Sequence, residues 1–448
     1  MIEVRCFDSL ESAAYLRDEI DALNRASARP DPFSSFEFFE NYVRHDEDAA
    51  TGVRSQLWFL AAFEADRLVG YLPLKLTKTR AFGFSSPVLG FLVTRDTDRP
   101  HVVVLPDRQR QVSVALYLYI LGRRREWALL ELQQQDETSA LFPPPVADLD
   151  GYLLRQWSSM ENCTIRIRWD TPRDYVAALT KKFRSNLSRQ LRNLLAAGKV
   201  EMVSSSDPSL TPVLLELYRS IEPHSWKSRA RASIGRHPAR IAYFEGQLDP
   251  LQPMRISIQV LLLDGAPVAG LITGAFMDGL YALHIVYDER LSKMAPGSLM
   301  LLLGVQRAIE GRFAFFNLLS GFGYFKSKWL ADVTETRIAQ LYRTGSALFW
   351  RRMFGDLKRS VFAAQSRARV HFNPTRRAVG EADVETGGDE PLAAPGEDVR
   401  ARVACVIDAV RDGRVEHLSA ADIGATLLFS KQRYETTERA NGLAQARA

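Results

Sequence analysis

His284 lies within an apolar run, Leu280 to Tyr287, on the face opposite Leu283 and Ile285. An imidazole titrating near 6.5 is a workable proton acceptor at neutral pH, although a core histidine satisfied by backbone groups fits the same position. Tyr287 and Asp288 close the run, and Asp288 fits a loop cap equally well. Glu222 precedes Ser225, Trp226 and Lys227 and the basic stretch up to Arg240. A carboxylate there holds an ammonium, takes its proton, or is an ordinary surface acid. Tyr324 and Lys326 follow Gly321 and Gly323, whose freedom to bend sharply lets the chain turn, and Trp329 closes the segment. Together these residues offer a base, an acid and a cation. Acyl transfer to an amine needs all three. The amine titrates near 10.4, so freeing it at pH 7 costs roughly 4 kcal/mol. The developing oxyanion needs a donor, and a tyrosine can protonate a leaving thiolate.

The elements that position these groups follow from turn chemistry and periodicity. Asp264-Gly265 and Asp278-Gly279 separate apolar, β-rich runs, so three consecutive antiparallel strands are expected, the third ending at Tyr287. A helix over roughly 298–310 and a strand over 313–319 follow. Pro296, Gly297, Ser298 and Leu299 open that helix, and the N–H groups of a helix start suit a phosphate or pyrophosphate. The fold class is expected to be α+β, with mixed, mostly antiparallel sheets flanked by helices.

In their order, Glu222, Ser225-Trp226-Lys227, Tyr287-Asp288, Pro296-Gly297, Gly321 and Tyr324-x-Lys326-x-x-Trp329 resemble the CelD/BcsL-type acetyltransferases of the GNAT superfamily, over about residues 174–329. The resemblance implies acyl-CoA, or an acyl carrier protein, as cosubstrate with no permanently bound cofactor. It implies a glycan or cell-envelope precursor as acceptor. By likeness to the distantly related FemABX transferases, a lysine in such a segment stabilises transition-state charge, which points to Lys326, with Lys328 as substitute. Trp226, Lys227, Tyr287 and Asp288 would then face substrate. Asn317 and Ser320 stand where that family commonly carries Asp and Arg, and Ala295 where it carries Ser. Asn317 and Ser320 support the competing reading of a catalytically inactive binding protein, and the FemABX likeness, with a basic helix over Arg173–Lys199 to carry RNA phosphates, implies an aminoacyl-tRNA-dependent transferase as the other.

The chain of 448 residues is long enough for two or three domains, and 46% hydrophobic with 25% charged residues is ordinary for a globular protein. No apolar run is long enough to span a bilayer, and no secretory leader is evident, which suggests a cytoplasmic protein. Cys6, Cys163 and Cys405 are far apart, so neither disulfides nor a metal site are expected. A net charge of +5 favours an anionic ligand without requiring nucleic acid, tRNA in the competing reading excepted. No Gly-x-Ser-x-Gly elbow, Walker loop or His-Glu-x-x-His motif occurs.

Residues 60–74 echo 261–273, each an apolar strand, an Asp-containing turn and a second strand with an early Gly, so tandem GNAT-like units are expected. The boundaries read as a degenerate first unit at 1–155, the acetyltransferase unit at 156–370, an acidic Gly/Pro/Ala-rich linker at 371–398, and a helical tail at 399–448. One helix is expected over Ser9–Asn24, capped by Asp8 with Glu11, and another over Arg173–Lys199. The basic residues of the second form a solvated face, or Lys182 and Arg184 hold an anionic substrate. A strand at 334–343 and a helix at 347–367 should close the second unit.

Overall fold

The computed structural model describes residues 2–46, 55–94, 96–230, 232–321, 326–370 and 395–425. Two units divide them, the first drawing on 2–40, 55–160 and 335–370, the second on 41–46, 161–334 and 395–425. In the first, β1 (Ile2–Phe7), β2 (Gln56–Glu64), β3 (Arg67–Ala81), β4 (Phe84–Phe91), β5 (Val103–Val104), β6 (Leu129–Gln135) and β7 (Tyr152–Ser158) lie in one sheet. In the second, β8 (Glu161–Arg166), β9 (Val200–Ser205), β10 (Arg255–Leu263), β11 (Ala266–Phe276), β12 (Gly279–Tyr287), β13 (Phe315–Gly321) and β14 (Asp332–Thr334) form another, in the order β14-β8-β13-β12-β11-β10-β9. Each sheet is antiparallel except for one parallel pair, β4 with β6 and β12 with β13. The class is α+β.

The echo in sequence extends to fine structure. Ala65-Asp66 and Asp264-Gly265 both turn with positive φ at each residue, as a two-residue hairpin requires. Three residues beyond each turn the register slips, at Val69 and at Val268, and each of these valines accepts a hydrogen bond at its carbonyl. The donors, Leu105 and Asp288, each lead through a 3-10 turn into a helix, Gln109–Gly122 or Pro296–Glu310, and then into the parallel strand. Gly70 stands one residue past its slip and Gly270 two past, and a Cβ at either would lie 2.6 Å from a side chain, that of Val112 or of Tyr218.

The units differ at the third strand. β12 runs unbroken to Tyr287, whereas its counterpart is split into β4 and β5 by residues 92–102. Arg99 and Pro100 of that segment bond to Gln134 and Gln135 at the end of β6, and the Arg29 guanidinium reaches Asp136 at 2.9 Å. Burial beside Arg29 holds His101 well below its usual pKa, and burial pushes Asp31 up to about 6. The first unit thus fills with an insertion the place where the second unit's parallel strands part.

Several boundaries differ from expectation. The second hairpin turns at Met277-Asp278, not Asp278-Gly279; Gly279 already pairs with Phe276, and its missing Cβ makes room for the Phe315 ring, 2.3 Å from where that Cβ would stand. The segment 173–199 is two helices, Pro172–Ala178 and Lys181–Ala197, because Leu179 is extended and Thr180 caps the second by accepting from the Phe183 N–H. Ser9, not Asp8, caps the first helix, which breaks into Leu10–Ala13, a 3-10 turn and Arg17–Ala26. Strand β15 (Arg337–Arg343) enters the first unit's sheet between β6 and β7, so that segment completes the first unit rather than the second. Beyond helix Glu397–Arg411, β16 (Glu416–Ser419) adds an edge strand beside β9, so the tail is not helical alone. The expected linker lies outside the described residues up to 394, as does the tail beyond 425.

Candidate active site

β12 and β13 pair only from Gly279–Tyr281 to Phe315–Asn317 and then part, although each strand continues. Opposite this fork the β11–β12 register slips at Ile272/Thr273, leaving Leu283 as the extra residue of a bulge. Among the described residues, the β13-facing edge of β12 beyond Tyr281 has no strand partner. Helix Pro296–Glu310, which links the two strands, begins at the same carboxyl end. A wedge between parallel strands with a helix start at its mouth is a usual ligand position in α/β architecture.

Three buried polar side chains converge at the bulge. Lys227 Nζ lies 2.7 Å from His284 Nδ1 and donates to the Tyr218 hydroxyl at 3.2 Å. Lys227 is only 4% exposed and His284 8%. The Phe244 ring stands edge-on to the imidazole at 4.9 Å. The loop reaches β12 because Ser225 caps the short helix Trp226–Arg229, turning Lys227 inward while Trp226 stays partly exposed. An N–H···N bond needs one donor and one acceptor, so the pair carries one proton fewer than an ammonium beside an imidazolium. With Lys227 charged, His284 accepts at Nδ1 and presents Nε2–H. The imidazole expected as a base thus shares its Nδ1 with the buried Lys227 amine. Tyr218 was not foreseen; the signal was Gly270, which leaves space for its ring.

The other expected residues have different occupations. Glu222 is buried, and its two oxygens accept from the Ile234 and Gly235 N–H groups at 2.7 and 3.0 Å, which fixes the loop leading to helix Pro238–Gln247. Asp288 caps the following 3-10 turn and grips Arg290 through both oxygens. Arg184 Nη1 donates to the carbonyls of Ala177 and Leu179 and so caps the preceding helix. Lys326 Nζ donates to the carbonyls of Leu318, Leu319 and Ser320 at 2.6, 2.8 and 3.1 Å. Those carbonyls sit at a register break in β13, where buried Asn317 accepts from the Leu319 N–H and from Asn162. The three donors of one ammonium thus brace a bulge. Tyr324 lies outside the described residues.

At the helix start, Ala295 adopts the left-handed conformation, φ 46°, with no side-chain cap. Pro296 has no N–H, and the Ser298 and Leu299 N–H groups turn onto the Ala295 carbonyl, so of the expected four residues Gly297 has the N–H nearest the mouth. A Cβ at Gly297 would lie 2.8 Å from Tyr287 Cδ1, so the Tyr287 ring rests on the helix start. Burial pushes the Tyr287 hydroxyl upward, with Glu289 adding to it. A separate cleft of about 660 Å³ lies behind Glu222, lined by Arg219, Ser220, Ser228, Ser233, Arg236 and Arg402 among others.

Residues 181–327 match the family described as "Acetyltransferase (GNAT) domain", a span that contains the fork, the bulge and the Lys227–His284 pair. The second unit carries a GNAT acetyltransferase domain. Its chemistry is N-acyl transfer. No curated protein matches the chain. Among solved structures, it is similar to FemX (11% identity, 72% of this chain and 95% of that one, TM-score 0.48). It is also similar to the C-terminal domain of a putative lysylphosphatidylglycerol synthetase from Agrobacterium fabrum (13%, 77% and 95%, 0.44). A tandem GNAT protein of the clavulanic acid pathway is a third (12%, 77% and 99%, 0.38). Likenesses this distant leave substrate and partner open. Among the described residues no helix is long and apolar enough to cross a membrane.

Proposed function

We propose that this N-acyltransferase moves an acyl group from acyl-CoA, or an acyl carrier protein, to the amine of a polysaccharide or cell-envelope precursor, in the manner of CelD/BcsL-type enzymes. The observation that carries this is the fork between β12 and β13, with the buried Lys227–His284 pair at the bulge beside it. The thioester arm lies along the unpaired edge of β12, and the Gly297 N–H meets a donor phosphate. The Lys227–His284 pair polarises the thioester carbonyl; as the amine nitrogen bonds to the carbonyl carbon, charge gathers on the oxygen within reach of that donor. Collapse breaks the C–S bond, the thiolate leaves, and the amine's extra proton passes to solvent. The cleft behind Glu222 combines serine hydroxyls with three arginines and the carboxylates of Glu216, Glu222 and Asp398, a polar lining of balanced charge suited to a hydroxyl-rich sugar.

Mass spectrometry of ligands that copurify with the chain, followed by thiol release from acetyl-CoA across a panel of amino sugars, tests this reading. Bound pantetheine species and amine-dependent thiol release support it. Copurifying tRNA with salt-sensitive affinity would replace it with an aminoacyl-tRNA-dependent transferase, and absence of any donor turnover would leave a binding protein.

A further inference from the structure

The first unit carries an apolar ridge that its own core does not use. Helix Ala347–Val370 packs inward through Leu348, which joins Ala81, Ala128, Leu129 and Tyr342. At 100° per residue, Trp350, Phe354 and Leu357 project about 180–240° around the helix from Leu348, on the opposite side. All three stand in solvent, 49, 57 and 62% exposed. The tip of the β3–β4 hairpin adds Phe82 and Phe84, 57 and 69% exposed, and the Phe82 ring meets Phe354 edge-on at 6.1 Å. Five large apolar side chains from two elements therefore form one continuous outward ridge, more than scattered surface hydrophobics explain.

The flanks of the ridge are basic. Arg351 and Lys358 lie about 280–300° around the helix from Leu348, beside the stripe. Arg351 Nη1 donates to the Arg80 carbonyl at 2.8 Å, which places it against the hairpin, where the Lys78 and Arg80 side chains are exposed. The helix's carboxylate there, Asp356, is on the other flank, engaged by Arg155, Arg352 and Arg359. An aromatic and aliphatic crest between cations matches an anionic lipid–water interface: rings enter the headgroup boundary while guanidinium and ammonium groups meet phosphates. A protein partner of ordinary composition has no need of the cationic margin. We propose that this face docks the enzyme on anionic phospholipid bilayers as a peripheral protein. The proposal is independent of the acceptor reading, since it concerns the first unit alone.

Co-flotation of the full chain with vesicles of phosphatidylcholine containing 30% phosphatidylglycerol, against pure phosphatidylcholine, tests it. The parent should float with the anionic vesicles and be released as salt rises. Phe82→Ser with Trp350→Ser and Phe354→Ser should lower the partition coefficient at least tenfold, and Arg351→Gln with Lys358→Gln roughly fivefold per cation. All these side chains are exposed, and unchanged melting temperatures would establish that the variants fold. Absence of flotation, or flotation that the folded variants retain, overturns the proposal. Concentration-dependent self-association that the aromatic variant abolishes, without vesicle binding, also overturns it and makes the ridge a contact between copies.

Discussion

Lys227→Met is the substitution that bears most directly on the chemistry. Methionine keeps the length of the stem, so the buried volume is retained while the charge is lost. The contacts that disappear include the 2.7 Å approach to His284 Nδ1, the 3.2 Å bond to the Tyr218 hydroxyl and the approach to the Tyr218 ring. Hydrogen bonds to a charged group contribute about 1.5–3 kcal/mol each, but burying the ammonium carries a desolvation cost of similar size. Folding stability should therefore change by no more than about 2 kcal/mol in either direction. Catalysis has no such offset. A preorganised cationic donor in a buried site is worth about 3 kcal/mol to the transition state, or roughly a hundredfold in rate.

Because that stabilisation is made only in the transition state, kcat and kcat/KM should fall together, with the donor KM little changed. Thiol release from acetyl-CoA, measured with an amine the parent enzyme turns over, gives both constants. Lys227→Arg should restore little, because a planar guanidinium cannot occupy the site of a compact ammonium between a ring nitrogen and a hydroxyl. A second readout is independent of turnover. Nitrogen NMR of the parent at pH 7 should show His284 accepting at Nδ1 and protonated at Nε2, a preference that Lys227→Met removes. A folded variant with kcat within about twofold of the parent, or a parent imidazole protonated at Nδ1 alone, would refute the assignment of the pair as donor.

Lys326→Met should lower the melting temperature through loss of the three carbonyl bonds, about 2–3 kcal/mol, while each folded molecule stays active; calorimetry beside kinetics checks this. Glu222→Gln turns one acceptor of the 234–235 loop into a donor facing an N–H, so amide exchange at Ile234 and Gly235 should accelerate at least tenfold. Gly297→Ala sets a methyl against the Tyr287 ring and should raise the donor KM several-fold, with unchanged donor kinetics removing this helix start from the donor site. His101→Gln addresses the first unit. A histidine held neutral in the fold takes a proton on unfolding below pH 6.5, so it supplies stability above that pH that is lost as the medium turns acid. Asp31, raised to about 6, acts oppositely, losing stability as pH rises from about 4 through 6. The variant's melting temperature should fall less than the parent's between pH 7 and 5, and parallel curves would exclude the role.

Much of the fold was legible because its signals are local. The hairpins follow from Asp66 and from Asp264-Gly265, residues tolerant of positive φ between apolar runs, and the helix after Pro296 follows from proline at a first helical turn. Strand β15 was misassigned to the second unit because adjacency in sequence is the only guide to pairing when a strand has no distinguishing pattern. Its alternation, Ile338, Gln340 and Tyr342 against Ala339 and Leu341, would serve in either sheet.

At the site the residue types were legible and their pairings were not. Lys227 and His284 are separated by dozens of residues, and nothing local says that a loop lysine and a strand histidine share a proton; the bulge at Leu283 decides it by turning the imidazole inward. The same limit applies to Lys326. A lysine between glycine and tryptophan reads as exposed and available, yet the break in β13 at Asn317–Ser320 presents three carbonyls that only a compact cation can satisfy together. Neutral Asn317 belongs to that brace: it accepts from Leu319 and from Asn162 without adding charge beside the ammonium. Asn317 therefore bears on how the bulge is held.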